Sequence, residues 1–329
     1  MGMTDSNGTS VAETDGIIAY GPVPSRRLGC SLGINNIQPK TCTYACVYCQ
    51  AGPTRRMTIT PRTFFDPARL ADEVRARVDT VRRAGETVDF LSFVPDGEPS
   101  LDRHLGEAIE ALRPLGLPLA AITNASLLGR PGVDEALGAV DWISVKVDTV
   151  DEKTWRRVNH PHGSLRLEDV LRGLAAFRRS FAGTLVTETM LVGGVNDSAR
   201  HASETAAFLA DLEPAKAYLS VPTRPPRCGW VRAPYEERLV NFYVEFESRL
   251  ADVELLIGYE GDSFTATGDP AENLLGITAV HPMREDAVRA LLDRMSADWS
   301  VAQWLLDEKL LRRVEHAGHA YLLRRPRGH

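Results

Sequence analysis

Short apolar runs alternate with longer amphipathic segments along most of the chain, and this alternation constrains the fold more than any other feature. Runs such as DFLSFV (89–94) and WISVKV (142–147) are almost continuously apolar, as in strands that are covered on both faces. Such strand–helix repeats predict an α/β protein with a largely parallel sheet. The pattern fits a parallel barrel, a partial barrel or an open doubly wound sheet. In a barrel, functional side chains lie at the C-terminal ends of the strands.

The alternation gives a specific set of elements. The predicted strands are Ser31 to Asn35, Val88 to Val94, Leu117 to Thr123, Trp142 to Val147, Thr184 to Leu191, Ala217 to Val221 and Glu254 to Tyr259. The predicted helices include Asp66 to Arg83, Leu101 to Leu112, Leu167 to Phe181, Ser198 to Leu212 and Pro234 to Ala251.

Three cysteines, Cys42, Cys46 and Cys49, lie close together in the run KTCTYACVYCQ. Thiolates at this C-x3-C-x2-C spacing can turn toward one centre, and soft sulfur ligands suit iron–sulfur clusters, zinc or copper(I). Three ligands leave one position open, which favours a reactive centre over a structural one. The alternative is a zinc site completed by a distant histidine or cysteine, such as Cys30 or Cys228. No second C-x-x-C and no H-x3-H lies nearby, which disfavours zinc.

The run CTYACVYCQ, with Tyr48 directly before the third cysteine, resembles the cluster loop of radical S-adenosylmethionine (SAM) enzymes. The preceding GPVPSRRLGCSLGINN resembles one branch of that superfamily, which is similar to the tRNA wyosine-base-forming Fe–S oxidoreductases. The likeness extends from about Gly21 to Arg284. It implies a partial (β/α)6 barrel in which Cys42, Cys46 and Cys49 hold a [4Fe–4S] cluster. SAM would chelate the fourth iron through its amino and carboxylate groups.

The resemblance also implies an activity. Such an enzyme cleaves SAM reductively to methionine and a 5′-deoxyadenosyl radical, which abstracts a hydrogen atom from the substrate. A flavodoxin or a ferredoxin-type protein would supply the electron. The candidate substrates are a tRNA base, a small metabolite and a peptide. A non-catalytic iron–sulfur regulator that binds nucleic acid is the alternative from another class, and no catalytic side chain is assigned.

The segment PDGEPSL, after the second predicted strand, is the first candidate for SAM contacts. Gly97, Glu98 and Pro99 match the G-E-P element that contacts the SAM amino group in similar enzymes, although Asp96 stands where many members have a second glycine. A glycine also allows close backbone approach, and a carboxylate accepts from an ammonium group. The alternative is a solvated turn before a helix.

The next two strand ends carry further polar residues. Thr123, Asn124 and Ser126 offer neutral donors and acceptors for ribose hydroxyls or a carboxylate, or for capping the following helix. Lys146 and Asp148 face the same side of the fourth strand, where they either form a structural ion pair or, as in similar enzymes, contact SAM or substrate.

Glu188, on the fifth strand, is a candidate for a ribose hydroxyl or a substrate amine, or for a buried structural carboxylate. Arg26 and Arg27 between prolines and glycine can clamp an anion or form salt bridges. The loop VPTRPPRCGWVR (221–232) places three arginines in rigid turns, either as a lid over an anionic substrate or as solvated surface.

Composition predicts a cytoplasmic protein without a membrane segment. No run of 18 or more apolar residues occurs, and residues 1–16 are polar, without the pattern of a signal peptide. These residues are predicted to form a disordered leader. The five cysteines, three of them clustered, argue against a disulfide framework. The net charge of −6 gives no general attraction to nucleic acid, although a local basic patch is compatible with it.

The last fifty residues differ from the preceding barrel domain (17–278). Residues 279–329 read as helix, helix and hairpin, the order of a winged-helix-like module. Its second helix is acidic on balance, which disfavours DNA reading and favours an accessory role in substrate recognition. The hairpin and tail supply arginines for contacts with phosphates, a peptide or the barrel: Arg312, Arg313, Arg324, Arg325 and Arg327.

Overall fold

The computed structural model describes residues 17–257 and 269–325. The predicted leader, residues 1–16, lies outside the described residues, as do the end of the predicted strand Glu254 to Tyr259 and the tail arginine Arg327.

The described chain alternates strands and helices. The strands are β1 (Ala19–Ser25), β2 (Gly29–Ile34), β3 (Thr41–Cys42), β4 (Arg56–Met57), β5 (Phe90–Phe93), β6 (Leu119–Thr123), β7 (Trp142–Lys146), β8 (Thr184–Met190), β9 (Lys216–Ser220), β10 (Val253–Leu256), β11 (Met283–Arg284), β12 (Leu311–His316) and β13 (His319–Arg324). The helices are α1 (Pro67–Arg83), α2 (Leu105–Leu112), α3 (Val133–Gly138), α4 (Glu152–Asn159), α5 (Leu167–Ser180), α6 (Ala199–Leu212), α7 (Glu236–Glu247), α8 (Pro270–Val280), α9 (Glu285–Arg294) and α10 (Ser300–Asp307). Two 3₁₀ turns occupy Pro99–Leu101 and Arg113–Leu115.

The main sheet has eight strands in the order β1-β2-β5-β6-β7-β8-β9-β10. All neighbouring pairs are parallel except β1 and β2. The predicted parallel α/β fold is therefore confirmed. In the described part of the chain β1 and β10 form the two edges, so the sheet is open, as a partial barrel requires.

Each of the seven predicted strands overlaps an observed one, and the differences lie mainly at the ends and edges. The predicted helix Leu101 to Leu112 begins only at Leu105, because the Asp102 carboxylate accepts from the His104 N–H just before it. The edge strand β1 was not predicted, because it contains two prolines; proline is tolerated at a sheet edge, where its missing N–H is not needed for pairing.

Alternation along the strands separates the two faces of the sheet. In β7, Ile143 and Val145 pack in the large core beneath α1, α2, α5, α6 and α7. Trp142 packs on the opposite face with Ala120, Val186 and Tyr218. Lys146 also projects from that opposite face, so the helices cover one side and leave the other for a site.

The C-terminal segment forms a second, smaller unit. Its sheet has the order β11-β13-β12 and packs with α9 and α10, and the chain runs in the predicted order of helix, helix and hairpin. Leu274 and Ile277 of α8 lie in the same apolar cluster as Met283 and Leu291. The predicted boundary at residue 278 falls inside α8, and it remains a prediction.

No helix in the described ranges 17–257 and 269–325 combines the length and the apolar character needed to cross a bilayer.

Candidate active site

A cavity of about 340 Å³ lies on the helix-free face of the sheet, a volume within the usual range of ligand pockets. Its walls include Lys146, Glu188 and Ser220, at or near the C-terminal ends of β7, β8 and β9. Cys42, Cys46 and Cys49 line the same cavity. The structure thus places the three clustered cysteines at the strand ends, where a parallel barrel carries its site.

Backbone hydrogen bonds fix the loop that carries these cysteines, here called the cluster loop (residues 40–58). β3 pairs with β4 in the register Thr41 to Arg56 and Cys42 to Met57. The Val47 N–H donates to the Val158 carbonyl at 2.9 Å, and the Ala45 N–H donates to the last residues of α4. The loop is therefore held by the parallel β3–β4 pair and by contacts with the end of α4.

The three thiols lie in a poorly solvated environment. Burial and nearby carboxylates raise the pKa of all three thiols. For Cys46 the pKa rises to about 12. Amide donors reach two of the sulfurs: Asn124 Nδ2 lies 3.7 Å from Cys42 Sγ and Asn159 Nδ2 lies 3.5 Å from Cys46 Sγ. A bound metal centre would supply the positive charge that the thiolates need there.

The donor set of the cluster loop fits an iron–sulfur cluster. Within the residues that the structure describes, no three His, Cys, Asp or Glu side chains converge on a preformed site for one metal ion. Thiolate sulfurs are the ligands by which proteins hold iron–sulfur clusters. Three thiols around one cavity, with amide donors to sulfur, therefore fit an iron–sulfur cluster.

Gly97 allows the loop after β5 to pack closely against the backbone of the cluster loop. Its φ is +157°, and a Cβ there would lie 1.9 Å from the Thr41 carbonyl oxygen. The Glu98 N–H donates to that same oxygen at 3.1 Å. The glycine predicted to admit a ligand thus also admits the cluster loop's own backbone, and it lines the cavity.

Glu98 is buried and joins the ends of β5 and β6. Its Oε1 accepts from the Ser100 N–H and hydroxyl and from the Thr123 hydroxyl, the last at 2.6 Å. Its Oε2 accepts from the Asn124 N–H at 2.8 Å. The carboxylate is satisfied by protein donors, and its predicted contact with SAM remains a prediction. Beside it, the Pro99 carbonyl accepts from Asn36 Nδ2 at 3.0 Å.

Asn124 and Ser126 lie against the cluster loop. Asn124 Nδ2 and the Ser126 hydroxyl both donate to the Thr43 hydroxyl oxygen, at 2.8 and 2.7 Å. With Thr123 and Glu98 they form a polar support beneath Cys42, whereas Gly97, Tyr48, Lys146 and Glu188 line the cavity itself.

A second polar support joins Cys46 to β7 and β8. The Tyr48 hydroxyl donates to the Asp148 carboxylate, which also accepts from Asn159 Nδ2 at 2.6 Å and from the Met190 N–H at 2.9 Å. Burial raises the pKa of Asp148 despite these donors. Asp148 therefore positions Tyr48, the aromatic residue of the cysteine motif.

Glu188 is the centre of a buried charge cluster on the cavity wall. Its two oxygens lie 2.5 Å from Lys146 Nζ and 2.5 Å from an Arg27 nitrogen, and the Ser220 hydroxyl donates to it at 3.0 Å. Although burial opposes ionisation, Lys146 and Arg27 lower the pKa of Glu188 to about 2. Lys146 thus forms its ion pair with Glu188 on the neighbouring strand. Asp148, which was predicted to lie on the same side as Lys146, is not its closest partner.

The loop 221–232 extends across the cluster loop. Arg224 lines the cavity and donates to Gln50 Oε1 at 3.2 Å, and it contacts His281 Nε2 at 2.7 Å. Arg227 donates to the Ala45 carbonyl, and the Cys228 N–H donates to Val47. The predicted lid loop thus lies against the cysteine motif.

Sequence reasoning missed several residues of the site. Lys40 Nζ lies 2.7 Å from Asp96, and burial raises the pKa of Asp96 to about 6 although Lys40 lowers it. Two features of the sequence could have indicated this pair: Lys40 lies two residues before Cys42, and Asp96 stands where many similar enzymes have a glycine. The sequence contains no indication of Asn159 and His281 as site residues. Asn159 reaches the site from the end of α4, and His281 reaches it from the C-terminal module.

Comparison with known proteins identifies relatives along nearly the whole chain. The family described as Radical SAM superfamily matches residues 37–206. A UPF0026 protein of Methanocaldococcus jannaschii is 40% identical over 93% of this chain and 96% of its own length. A UPF0026 protein of Helicobacter pylori is 30% identical over 84% of this chain and 88% of its own.

A solved structure shows the same fold. A radical SAM methyltransferase from Sphaerobacter thermophilus superimposes with a TM-score of 0.54 at 17% identity, over 68% of this chain and 65% of that one. At this identity the likeness concerns the fold alone.

Proposed function

The chain belongs to the radical SAM superfamily, and on that premise we propose that Cys42, Cys46 and Cys49 hold a [4Fe–4S] cluster with an open position for SAM. Membership of the superfamily makes the protein an enzyme that uses SAM and an iron–sulfur cluster. The cluster type, the residue roles and the substrate are the proposed part.

One observation carries this proposal: all three half-buried cysteines line a single cavity at the strand ends. When bound, the cluster and SAM would supply the one-electron reductive cleavage of the sulfonium to methionine and a 5′-deoxyadenosyl radical, which would abstract hydrogen from the substrate. The chain supplies position and exclusion of water.

The polar supports determine that position. Glu98 and Asn124 hold the Cys42 side of the cluster loop, and Asp148 and Asn159 hold the Cys46 side. We assign the SAM site to the cavity wall next to Gly97 and Tyr48, with Lys146 and Glu188 facing it.

Two classes of substrate remain under test. A tRNA base is favoured by the sequence resemblance to the wyosine-forming branch, and a small metabolite or peptide is favoured by a cavity of about 340 Å³. SuiB of Streptococcus suis, whose structure was solved with its precursor peptide SuiA, is similar in fold to this chain. The two are 12% identical, and the match covers 49% of SuiB. Comparing tRNA nucleosides and metabolites from a deletion strain by mass spectrometry distinguishes these classes.

The decisive experiment combines cluster retention with SAM cleavage. Cys42→Ala, Cys46→Ala and Cys49→Ala should each lose the brown chromophore after anaerobic reconstitution, and reduced wild-type protein should release 5′-deoxyadenosine from SAM. Cys30→Ala and Cys228→Ala are the matched controls and should keep the chromophore. Loss of the cluster in either control would show a fourth protein ligand and remove the open position.

A further inference from the structure

Five arginines surround the outer side of the cluster loop and are here called the arginine face: Arg55, Arg56, Arg62, Arg103 and Arg130. Arg55, Arg56 and Arg103 are exposed, and the other two are half-buried. Within the described ranges none of the five forms a salt bridge. The face thus groups five arginines that form no ion pair in the described ranges, on a protein whose net charge is −6.

Backbone contacts hold the arginine face together. The Arg103 N–H donates to the Arg62 carbonyl at 3.0 Å, and Arg130 Nη1 donates to the Ile59 carbonyl at 2.6 Å. Arg62 lies over the Phe64 ring at 4.6 Å. Partial burial and the neighbouring charge of Arg56 lower the pKa of Arg62.

The arginine face lies directly behind a cluster cysteine. Met57, which is 37% exposed, is the register partner of Cys42 across the β3–β4 pair. The Thr58 N–H donates to the Cys42 carbonyl at 3.1 Å. One strand therefore separates the exposed surface from the backbone of a cluster ligand. None of the five arginines lines the cavity.

We propose that the arginine face is the docking surface for an acidic one-electron carrier protein, which delivers its electron to the cluster past Met57 and Cys42. The proposal rests on the proposed function. In the transfer the carrier loses one electron from its reduced flavin or iron–sulfur centre and the cluster gains it; no atoms move. The carrier needs to approach the cluster without blocking the cavity, and the arginine face meets both conditions.

Charge complementarity selects the class of partner. Opposed patches of charge guide two proteins together and raise association rates, with strong dependence on ionic strength. Nucleic acid is also attracted by arginines. A substrate base must enter the cavity, however, and the arginine face lies outside it, so the acidic carrier is the favoured partner.

The test uses Arg55→Ala/Arg56→Ala with Arg178→Ala/Arg179→Ala as the matched control. The control removes the same charge at the end of α5, which leads back to the start of β8 and thus lies at the end of the strands opposite to the cluster loop. Binding of a purified bacterial flavodoxin is measured by calorimetry at several salt concentrations. 5′-Deoxyadenosine release is then measured with either reduced flavodoxin or dithionite as electron source.

The proposal expects flavodoxin affinity and flavodoxin-driven release at low salt to fall roughly tenfold or more in Arg55→Ala/Arg56→Ala, with a shallower salt dependence. Dithionite-driven release should be unchanged, and the control should match wild type. Wild-type flavodoxin affinity in the variant would overturn the docking surface. A gel shift with bulk tRNA at low salt is run beside the calorimetry; loss of tRNA binding with flavodoxin binding intact would assign the face to RNA instead and would also overturn the docking surface.

Failure of the proposed function gives a different result. In that case the wild-type protein would release no 5′-deoxyadenosine with dithionite, while the calorimetric titration would still decide whether the arginine face binds the carrier.

Discussion

The cavity wall carries several buried charges, and each is compensated locally. Glu188 lies between Lys146 and Arg27, and Lys40 lies against Asp96. A charged group that is buried away from water is tolerated only with such a partner. Removal of one partner leaves the other charge unpaired and destabilises the folded protein. The wall therefore has a fixed charge pattern before any ligand binds.

Glu188→Gln should destabilise the protein by roughly 3 kcal/mol near neutral pH, since one pKa unit corresponds to about 1.4 kcal/mol. The folded-state pKa of about 2 lies below the ordinary value of 4.5, so this stabilisation is present above pH 4.5 and is lost as the pH falls toward 2. Urea unfolding of wild type and variant from pH 7 to pH 3 measures the difference. Exposed Glu168→Gln is the control and should change little. A difference that grows on acidification would contradict the pairing.

Glu98→Gln tests the support beneath Cys42. In either orientation the new NH₂ group faces a backbone N–H, that of Ser100 or that of Asn124, which cannot rotate away. A buried unmatched donor costs about 1–3 kcal/mol, and we expect SAM affinity to fall by about ten- to a hundredfold. Calorimetry with SAM on reconstituted protein measures this, with exposed Glu110→Gln as the control. Unchanged SAM affinity would show that the support does not shape the SAM site.

At the residue scale, the sequence predicts which side chains lie at the cavity better than it predicts what they contact. Cys42, Cys46, Cys49 and Glu188 were identified from spacing and from strand position, and all four line the cavity. Their partners come from remote segments, as Asn159 does for Cys46. Strand periodicity determines the face of a residue, whereas its partner depends on how separate elements meet.

At the scale of elements, the cluster loop depends on close backbone packing. The loop after β5 contacts β3 at Gly97, where no side chain fits against the Thr41 carbonyl. The prediction of this glycine came from a motif, and its physical reason is the loop-to-loop approach.

Gly97→Ala should therefore separate the two loops. The Cβ would lie 1.9 Å from the Thr41 oxygen at a φ that disfavours L-residues, and we expect at least about 2 kcal/mol of destabilisation. Iron content after reconstitution and the thermal midpoint should both fall. Gly138→Ala in α3, where a Cβ meets nothing within 4 Å, is the control and should retain both. Full iron loading in Gly97→Ala would show that the approach is dispensable.

The predicted elements agree with the structure where burial determines the sequence pattern. They are missing where an element lies at an edge or is short. The inner strands β5 to β9 are almost continuously apolar and were identified. The edge strand β1 contains two prolines, and the helices α3 and α4 span only six and eight residues. Short helices have little intrinsic stability, so sequence periodicity alone does not reveal them.

At the scale of the whole molecule, the C-terminal module helps to close the cavity. His281 lines the cavity and contacts Arg224, and burial together with that arginine lowers the pKa of His281 well below its ordinary value. The Tyr321 hydroxyl donates to the Thr223 carbonyl at 3.1 Å. Module and loop 221–232 are thus joined at two points, in keeping with a substrate-recognition role.

Tyr321→Phe should loosen the loop without unfolding the module. The ring is 1% exposed and stays packed, while the hydroxyl's bonds to the Thr223 carbonyl and to Arg284 Nε are lost, at about 1 kcal/mol each. Hydrogen exchange of peptides covering 221–232 should accelerate, whereas peptides from α9 and α10 should keep their protection. Tyr243→Phe on α7, whose hydroxyl bonds only weakly to Glu247 at 3.4 Å, is the control. Unchanged exchange in the loop would show that the module holds it by other contacts, and faster exchange throughout α9 and α10 would show that Tyr321 stabilises the module itself rather than its junction with the loop.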